Sequence, residues 1–391
     1  MAASPPGRLM AGSVTKYATA AGPRYRVRYR KPDMKQTDKR GFKTKREAEV
    51  FLASVTISKA VGDYIDPALS RVTVSQLAER WLSGKMPPAM KPSSYEPLEI
   101  SWRVHVEPRW GKREIRSIVP SEVQEWVTGI GQPKGDQPGR SATVALRALG
   151  VLAGILDMAI DDGRMKRNPA RGLKNVPKKP KRKAGRSYLS IDQVYALADE
   201  ALHPGLILVM VYCGLRWSEA TALRVRHVNM VRRRVHVEEN AVLVKNVVHV
   251  GSPKSYEFRY VPYPRVLDAT LSNLCAGKGP DSLLFGDGVT HLRPPKTRDG
   301  WLDGAVARAR KSDPSFPRIT SHDLRHTAAS IAVSSGANVK AVQHMLGHAS
   351  AAETLDTYAD LFPDDLEAVA ERMDEATRAA SVGKAWARLI V

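Results

Sequence analysis

The sequence of 391 residues is poor in cysteine and in acidic side chains. Its two cysteines, Cys213 and Cys275, are too few for a disulfide framework and stand at no metal-binding spacing, which suits a reducing cytoplasm. Asp and Glu total 40 against 61 Lys and Arg, so the formal net charge is +21 and the pI is about 10.0. A protein this basic typically binds a polyanion, with DNA or RNA as the first candidate and an anionic membrane surface as the weaker one.

Long apolar runs and a phosphate-binding loop are also missing. The longest apolar stretches, LGVLAGIL at 149–156 and GLILVMVYCGL at 205–215, are far shorter than the roughly 20 residues that span a membrane. The N-terminal MAASPPGRLMAGS lacks the apolar region of a signal peptide. GDG at 286–288 does not have P-loop spacing. We therefore expect a cytoplasmic protein without a membrane partner.

The order of the sequence patterns predicts a multidomain chain, because roughly 150 residues form one domain. Residues 1–65 predict a small α+β domain in which short strands precede a helix. Residues 66–176 predict an all-helical domain whose first helix begins with capping-box spacing between Thr73 and Gln76. Residues 187–391 predict a mixed α/β domain, with helices on either side of a β-rich middle.

One predicted strand in the N-terminal domain carries a row of arginines. RYRVRYR at 24–30 alternates strictly, so one face of the strand carries Arg24, Arg26, Arg28 and Arg30. Such a row either solvates the strand or contacts phosphates. The basic character of the whole chain favours phosphate contacts.

The segment between the helical and α/β domains is both proline-containing and strongly basic. KNVPKKPKRKAGR spans 174–186, and within it we predict a linker at 177–186. The linker is either a simple tether or a cationic strap along a DNA backbone. Its candidate DNA contacts are Lys178, Lys179, Lys181, Arg182 and Lys183.

Two pairs of histidines stand four residues apart, which places each pair on one helical face. SHDLRHTAAS holds His322 and His326, and HMLGH holds a second pair. A zinc protease would have Glu where this chain has Asp323, and Arg325 beside the first pair would repel a cation. No metal site is predicted, although a zinc hydrolase that uses these pairs stays an alternative, as do ordinary helix histidines.

Other residues converge on a phosphate instead. Arg216 follows an apolar helix, Lys254 occupies a turn, and Arg325, His348 and Tyr358 lie in the C-terminal part. Guanidinium groups bind non-bridging oxygens, and protonatable groups serve the bridging ones. A tyrosine hydroxyl that attacks phosphorus gives a covalent phosphotyrosine.

The order Arg, Lys, His-x-x-Arg, His, Tyr resembles the tyrosine recombinases, and the three-part layout resembles phage-type, actinophage-like integrases. The similar segments are GLRWSEATALR (214–224), PKSYEFRYVPYP (253–264) and the run from 322 to 361, with a looser match in TVSQLAERWL. His348 and Tyr358 are ten residues apart, whereas nine is the commoner family spacing.

The resemblance implies DNA strand exchange through a 3′-phosphotyrosine, without metal, ATP or any other cofactor. It implies a catalytic set of Arg216, Lys254, His322, Arg325, His348 and Tyr358. Tyr358 is then the nucleophile, His322 accepts or positions its proton, and Lys254 protonates the leaving 5′-oxygen. Glu219 either orients Arg216 or forms a surface salt bridge, and His326 and His344 are expected to be structural.

The resemblance further implies an arm-type DNA-binding domain at 1–65, a helical core-binding domain at 66–176 and a catalytic domain at 187–391. The implied partners are double-stranded DNA with core-type and arm-type sites, a homotetramer on that DNA, a host DNA-bending factor and an excisionase. The alternatives are a catalytically inactive DNA-binding regulator of the same fold and the zinc hydrolase. The expected location is the cytoplasm of a bacterial host.

Overall fold

The computed structural model describes residues 12–62, 64–133, 135–178, 187–252, 258–296, 299–361 and 366–381. The chain divides into two compact units, Met1–Lys181 and Arg182–Val391. The division falls within the segment predicted as a basic linker. The multidomain fold class, with its small α+β, all-α and mixed α/β parts, is confirmed.

The first unit begins with a three-stranded antiparallel sheet and one helix. These elements are β1 (Ser13–Thr19), β2 (Gly22–Arg30), β3 (Gln36–Phe42) and α1 (Lys45–Ala60), with β2 in the centre of the sheet. Val27 and Tyr29 on one face of β2 pack with Ala48 and Val55 of α1 in a small core. Because side chains alternate along a strand, the predicted arginine row lies on the opposite face, away from α1.

Helices make up the rest of the first unit. They are α2 (Val74–Ser83), α3 (Pro92–Ser101), α4 (Glu107–Trp110), α5 (Pro120–Ile130) and α6 (Ala142–Asp161). The predicted capping box is confirmed, since Thr73 and Gln76 exchange side-chain and backbone hydrogen bonds at the start of α2. In length and composition α6 is apolar enough to cross a membrane. Its buried residues instead form the centre of the helical core, as in a core helix.

The second unit places helices on either side of a β-rich middle, as the sequence predicts. Three helices come first: α7 (Ile191–Glu200), α8 (Pro204–Cys213) and α9 (Trp217–Ala220). The strands are β4 (Val228–Asn229), β5 (Arg234–Val237), β6 (Asn240–Val244), β7 (Val247–Gly251) and β8 (Arg259–Pro262). The later helices are α10 (Asp268–Cys275), α11 (Trp301–Ser312), α12 (Ser321–Ser334), α13 (Val339–Leu346), α14 (Ala351–Tyr358) and α15 (Leu366–Ser381).

The core of the second unit forms around α8, which is apolar on all sides. β4, β5 and β8 form an antiparallel sheet in that order, and β6 pairs with β7 as a hairpin. Cys213 at the end of α8 is fully buried, and burial raises the pKa of its thiol to about 12, so the thiol stays protonated. Trp217 and Trp301 are partly buried and pack against this core.

Candidate active site

Arg216 is placed by a sharp change of chain direction at the end of α8. Gly214 ends the helix with φ of +62°, a conformation that favours glycine, and a Cβ there would lie 2.8 Å from Leu346 Cδ2. The chain then enters α9 with Arg216 as its N-cap residue. The turn at Gly214 therefore determines the position of Arg216 at the start of α9.

Glu219, one turn later, holds Arg216 by both its backbone and its side chain. Its carboxylate accepts from the Arg216 backbone N–H at 2.9 Å and from Nη1 at 2.8 Å. Glu219 is only 1% exposed, so the surface salt-bridge interpretation is wrong and the orienting one agrees with the structure.

Arg259 is a second cation on the same carboxylate, and the sequence interpretation did not include it. From β8 its Nη2 and Nη1 reach the two oxygens of Glu219 at 2.8 and 3.2 Å. Burial alone would raise the pKa of Glu219, but the hydrogen bonds and charge of Arg259, together with the charge of Arg216, lower it to about 2. Glu219 is therefore ionised at neutral pH.

Three arginines donate to three consecutive carbonyls at the C-terminal end of α13. Arg259 Nε reaches Met345 O at 3.2 Å, Arg325 Nη2 reaches Leu346 O at 2.6 Å, and Arg216 Nη2 reaches Gly347 O at 3.3 Å. The last carbonyls of a helix lack intrahelical partners and carry partial negative charge, so cations are stabilised there.

Arg325 is buried and rigidly held. It is 2% exposed, and its Nη1 donates to Gly214 O at 2.8 Å while Nη2 bonds α13. Burial, together with repulsion from Arg216, lowers its pKa to about 9, which still leaves it protonated at neutral pH. The guanidinium thus ties the end of α8 to the end of α13.

His348 follows directly after the glycine that ends α13. Gly347 has φ of +63°, and a Cβ there would lie 2.9 Å from the Arg259 guanidinium, so both conformation and space require glycine. The His348 ring is mostly buried, with Nδ1 2.9 Å from Thr354 Oγ1. Burial, with the charges of Arg325 and other arginines, lowers the pKa of His348 to about 4, so the ring is neutral at pH 7.

Tyr358 lies at the end of α14 and is 1% exposed. Its hydroxyl is 2.7 Å from His326 Nδ1. Its ring lies nearly parallel to that of His348, with 6.2 Å between centroids and 7° between planes. The ten-residue spacing from His348 to Tyr358 therefore still places the tyrosine in the cluster.

The two histidines of the first pair occupy positions that the sequence did not predict. His326, expected to be structural, is buried and contacts the Tyr358 hydroxyl. His322, expected to accept the proton, packs edge-on against the His326 ring with 4.7 Å between centroids. His344 is exposed on α13. Among the residues that the structure describes, no three His, Cys, Asp or Glu side chains are grouped to hold a metal.

Several predicted site residues lie outside the described ranges. These are Lys254, Lys179, Lys181, Arg182 and Lys183. Lys178 is described and exposed. In the N-terminal sheet Arg28 and Arg30 are exposed and Arg24 and Arg26 partly so, with Arg26 Nε bonded to Thr15 Oγ1 at 2.8 Å.

A sequence signal for Arg259 did exist. In the strand pattern FRYVP, Arg259 shares a face with Val261, which is buried. A buried arginine needs a carboxylate partner. Glu219, in the GLRWSEATALR motif that also contains Arg216, is an acidic residue that could supply it. No comparable local signal distinguishes His326 from a core histidine.

The chain is similar in sequence and in fold to several known proteins. A family model described as the phage integrase family matches residues 190–364. The transposase of transposon Tn916 from Enterococcus faecalis is 23% identical over 82% of this chain and 82% of its own length. The integrase of Mycobacterium phage D29 is 22% identical over 79% of this chain and 82% of its own.

Two solved structures share the fold. The Tn1549 transposon integrase in complex with a circular intermediate DNA is 19% identical, with a TM-score of 0.60 over 78% of this chain and 99% of that one. A lambda integrase tetramer bound to a Holliday junction is 19% identical, with a TM-score of 0.53 over 86% and 96%.

The shared carboxylate predicts a stability effect. Arg259→Ala should destabilise the second unit by about 3 kcal/mol, because it removes one of the two cations that neutralise buried Glu219. The pKa of Glu219 is lowered from 4.5 to about 2, so its contribution is present above pH 4.5 and is lost as the pH falls through about 2. As the pH falls from 4.5 to about 2, Arg259→Ala should therefore lose less stability than the parent protein. Urea-dependent hydrogen exchange of peptides that cover α9 and β8 measures both effects.

Arg234→Ala is the matched control, because it removes an exposed arginine from the neighbouring strand β5. It should change stability by less than about 0.5 kcal/mol. Equal effects of the two substitutions would show that the Glu219 pairing contributes little.

Proposed function

Since the chain is a tyrosine recombinase of the phage integrase family, we propose that it cleaves and rejoins duplex DNA at specific sites through Tyr358, and so integrates or excises a mobile element. The observation that carries this proposal is the position of Tyr358, bonded to His326 and stacked on His348 beside two buried or half-buried arginines. The enzyme class is site-specific strand transfer, in which the phosphotyrosine conserves the energy of the broken phosphodiester.

The arginines are suited to the non-bridging oxygens of the phosphate. A guanidinium has five N–H donors, and Arg216 and Arg325 each use two nitrogens on protein oxygens, which leaves further N–H groups for the substrate. Because these protein contacts fix both groups in advance, little reorganisation is needed as charge builds in the pentacoordinate state. Neutral His348 adds a further donor.

His326 is the best-placed described group to take the proton of Tyr358. A free tyrosine has a pKa near 10, so the hydroxyl needs a proton acceptor or strong electrostatic help at neutral pH. His326 Nδ1 lies at 2.7 Å, which is hydrogen-bond distance. We therefore move the proton-accepting role from His322 to His326, and assign His322 to the support of the His326 ring.

The covalent step balances with one acid and one base. The Tyr358 oxygen bonds to phosphorus and gives up its proton, the bond from phosphorus to the 5′-oxygen breaks, and the 5′-oxygen takes up a proton. Lys254 is proposed as the donor of that proton on the family resemblance alone. The reverse attack by a 5′-hydroxyl of a second strand rejoins the DNA.

The domain roles follow the same proposal. Residues 66–176 and 187–391 bind the core-type site and residues 1–65 bind an arm-type site, with the basic linker at 177–186 along the DNA backbone. A homotetramer acts on two duplexes, with a host DNA-bending factor and an excisionase as further partners, in the bacterial cytoplasm. Solved integrases with DNA, and the tetramer on a Holliday junction, support the DNA partner and the oligomer.

The other two candidate functions have less support. A zinc hydrolase would need the ring nitrogens of the histidine pairs, but Nδ1 of His326 and Nδ1 of His348 are already bonded to Tyr358 and Thr354. An inactive DNA-binding regulator would not need a tyrosine held against two histidines.

Tyr358→Phe tests the nucleophile. The variant should bind a core-site duplex as the parent does, because only one oxygen is removed, but it should form no covalent adduct on a nicked suicide duplex. Denaturing gels of the protein–DNA mixture measure the adduct. Tyr263→Phe is the control, since this hydroxyl is buried without a partner among the described groups, and it should form adduct normally. Adduct from Tyr358→Phe would overturn the assignment.

His326→Gln tests the proton acceptor. Glutamine can bond the hydroxyl but cannot accept its proton, so single-turnover cleavage at pH 7 should fall about 10²-fold. The defect should shrink as the pH rises, because hydroxide can then accept the proton in place of the missing imidazole. His322→Gln should have the smaller effect. A larger loss in His322→Gln would instead support the role first assigned from the sequence.

Arg28→Ala tests the N-terminal sheet. The variant should bind arm-type DNA more weakly and lower the slope of log affinity against log salt by about 0.9, because one phosphate contact is lost. Cleavage of a minimal core site should be unchanged. Arg46→Ala makes the same charge change on α1, on the other side of the sheet, and should leave arm binding unchanged. Equal slopes for both variants would mean that the arginine row only solvates the strand.

A further inference from the structure

Thr354 is a buried residue of the site that neither the motifs nor the proposed mechanism uses. It is 0% exposed and lies in α14 one turn before Tyr358, so the two side chains share one helical face. Its hydroxyl lies 2.9 Å from Nδ1 of His348. Thr354 therefore contacts the phosphate-binding histidine from the helix that carries the nucleophile.

The hydroxyl has one hydrogen-bond partner within the described part of the chain, the His348 ring nitrogen. A helical threonine commonly bonds a carbonyl one turn earlier, but no such bond is formed here. Solvent does not reach the hydroxyl, because the residue is fully buried. The direction of this single hydrogen bond can therefore be worked out from the protons available.

A neutral imidazole has one N–H donor and one bare nitrogen that accepts. If Nδ1 carried the proton and donated to Thr354, the threonine's own proton would be buried without an acceptor, which is unfavourable. If Thr354 donates to a bare Nδ1, both the buried hydroxyl proton and Nδ1 have a partner. The second arrangement leaves the ring proton on Nε2, which no described residue bonds.

We infer that Thr354 is a positioning residue that fixes His348 as the Nε2–H tautomer, so that the ring presents a donor to the scissile phosphate. This inference rests on the proposed function and adds to it the group that sets the state of His348. The pKa of His348 is lowered to about 4, so the ring is neutral at pH 7 and exists as one of two tautomers. Because Thr354 and Tyr358 share α14, the donor state of His348 also depends on the nucleophile helix being docked.

The test compares Thr354→Val, which keeps the shape and removes the hydroxyl, with Thr354→Ser, which keeps the hydroxyl. In single-turnover cleavage of a nicked suicide duplex, Thr354→Val should be slower by about tenfold to a hundredfold. This loss is smaller than the one expected on removal of the His348 donor itself, because the ring is still present. Thr354→Ser should stay within about threefold of the parent. Thr357→Val makes the same chemical change at a neighbouring position of α14 and should cleave normally.

A spectroscopic measurement separates tautomer control from packing. With 15N-labelled histidine in the full chain at pH 7, the parent and Thr354→Ser should show His348 protonated on Nε2, with assignment by His348→Gln. Thr354→Val should shift the signal toward a mixture of tautomers. Thr354→Val combined with His348→Ala should cleave no more slowly than His348→Ala alone, because threonine acts through the histidine.

Three results would overturn the inference: an Nδ1-protonated His348 in the parent, a normal rate for Thr354→Val, or additive losses in the double variant. The tautomer is read in the free protein without DNA. A parent that shows the Nε2–H tautomer but forms no adduct on any duplex would therefore count against the proposed function and not against the role of Thr354.

Discussion

The candidate site depends on the C-terminal end of α13, where three successive carbonyls each accept from a different arginine. These are the carbonyls of Met345, Leu346 and Gly347, bonded by Arg259, Arg325 and Arg216. The arginines come from β8, α12 and the start of α9, elements far apart in the sequence. A helix end attracts cations by its own partial charge, so a single backbone feature brings together groups that would otherwise repel. The next residue in the chain, His348, then lies directly beside them.

The same constraint explains how the nucleophile is held. Tyr358 stacks on His348, which follows the bonded carbonyls in the chain, and bonds His326, which follows Arg325 on α12. At 1% exposure the Tyr358 side chain is shielded from solvent. The buried position protects the hydroxyl, and the contact with His326 keeps its proton acceptor within reach. The contact between the nucleophile and its proton acceptor therefore depends on how α14 packs against α12.

Local signals in the sequence were sufficient for the motifs and for much of the fold. The capping box at Thr73 and the helices around a β-rich middle follow from residue type and spacing. The grouping of Arg216 with Arg325 is implied by the resemblance to the tyrosine recombinases, and both side chains bond the end of α13. The contacts of Arg259 and His326 do not, because each is made with a residue distant in the chain, Glu219 and Tyr358. The four-residue spacing of His322 and His326 shows that they share a face. It cannot show which of them meets the tyrosine, since that depends on how α14 packs.

The balance of charge indicates why the site is suited to a phosphate. Arg216, Arg259 and Arg325 contribute three positive charges, and Glu219 supplies the nearest buried negative one. The excess of positive charge helps to lower the pKa values of Arg325 and His348. In each case burial is the largest cause and the charge of neighbouring arginines is the next. Cations gathered in a low-dielectric cluster are stabilised by an anion placed among them, and most by the anion with the highest charge. A pentacoordinate phosphorane carries more charge than the phosphodiester from which it forms, so the cluster favours the transition state over the bound substrate.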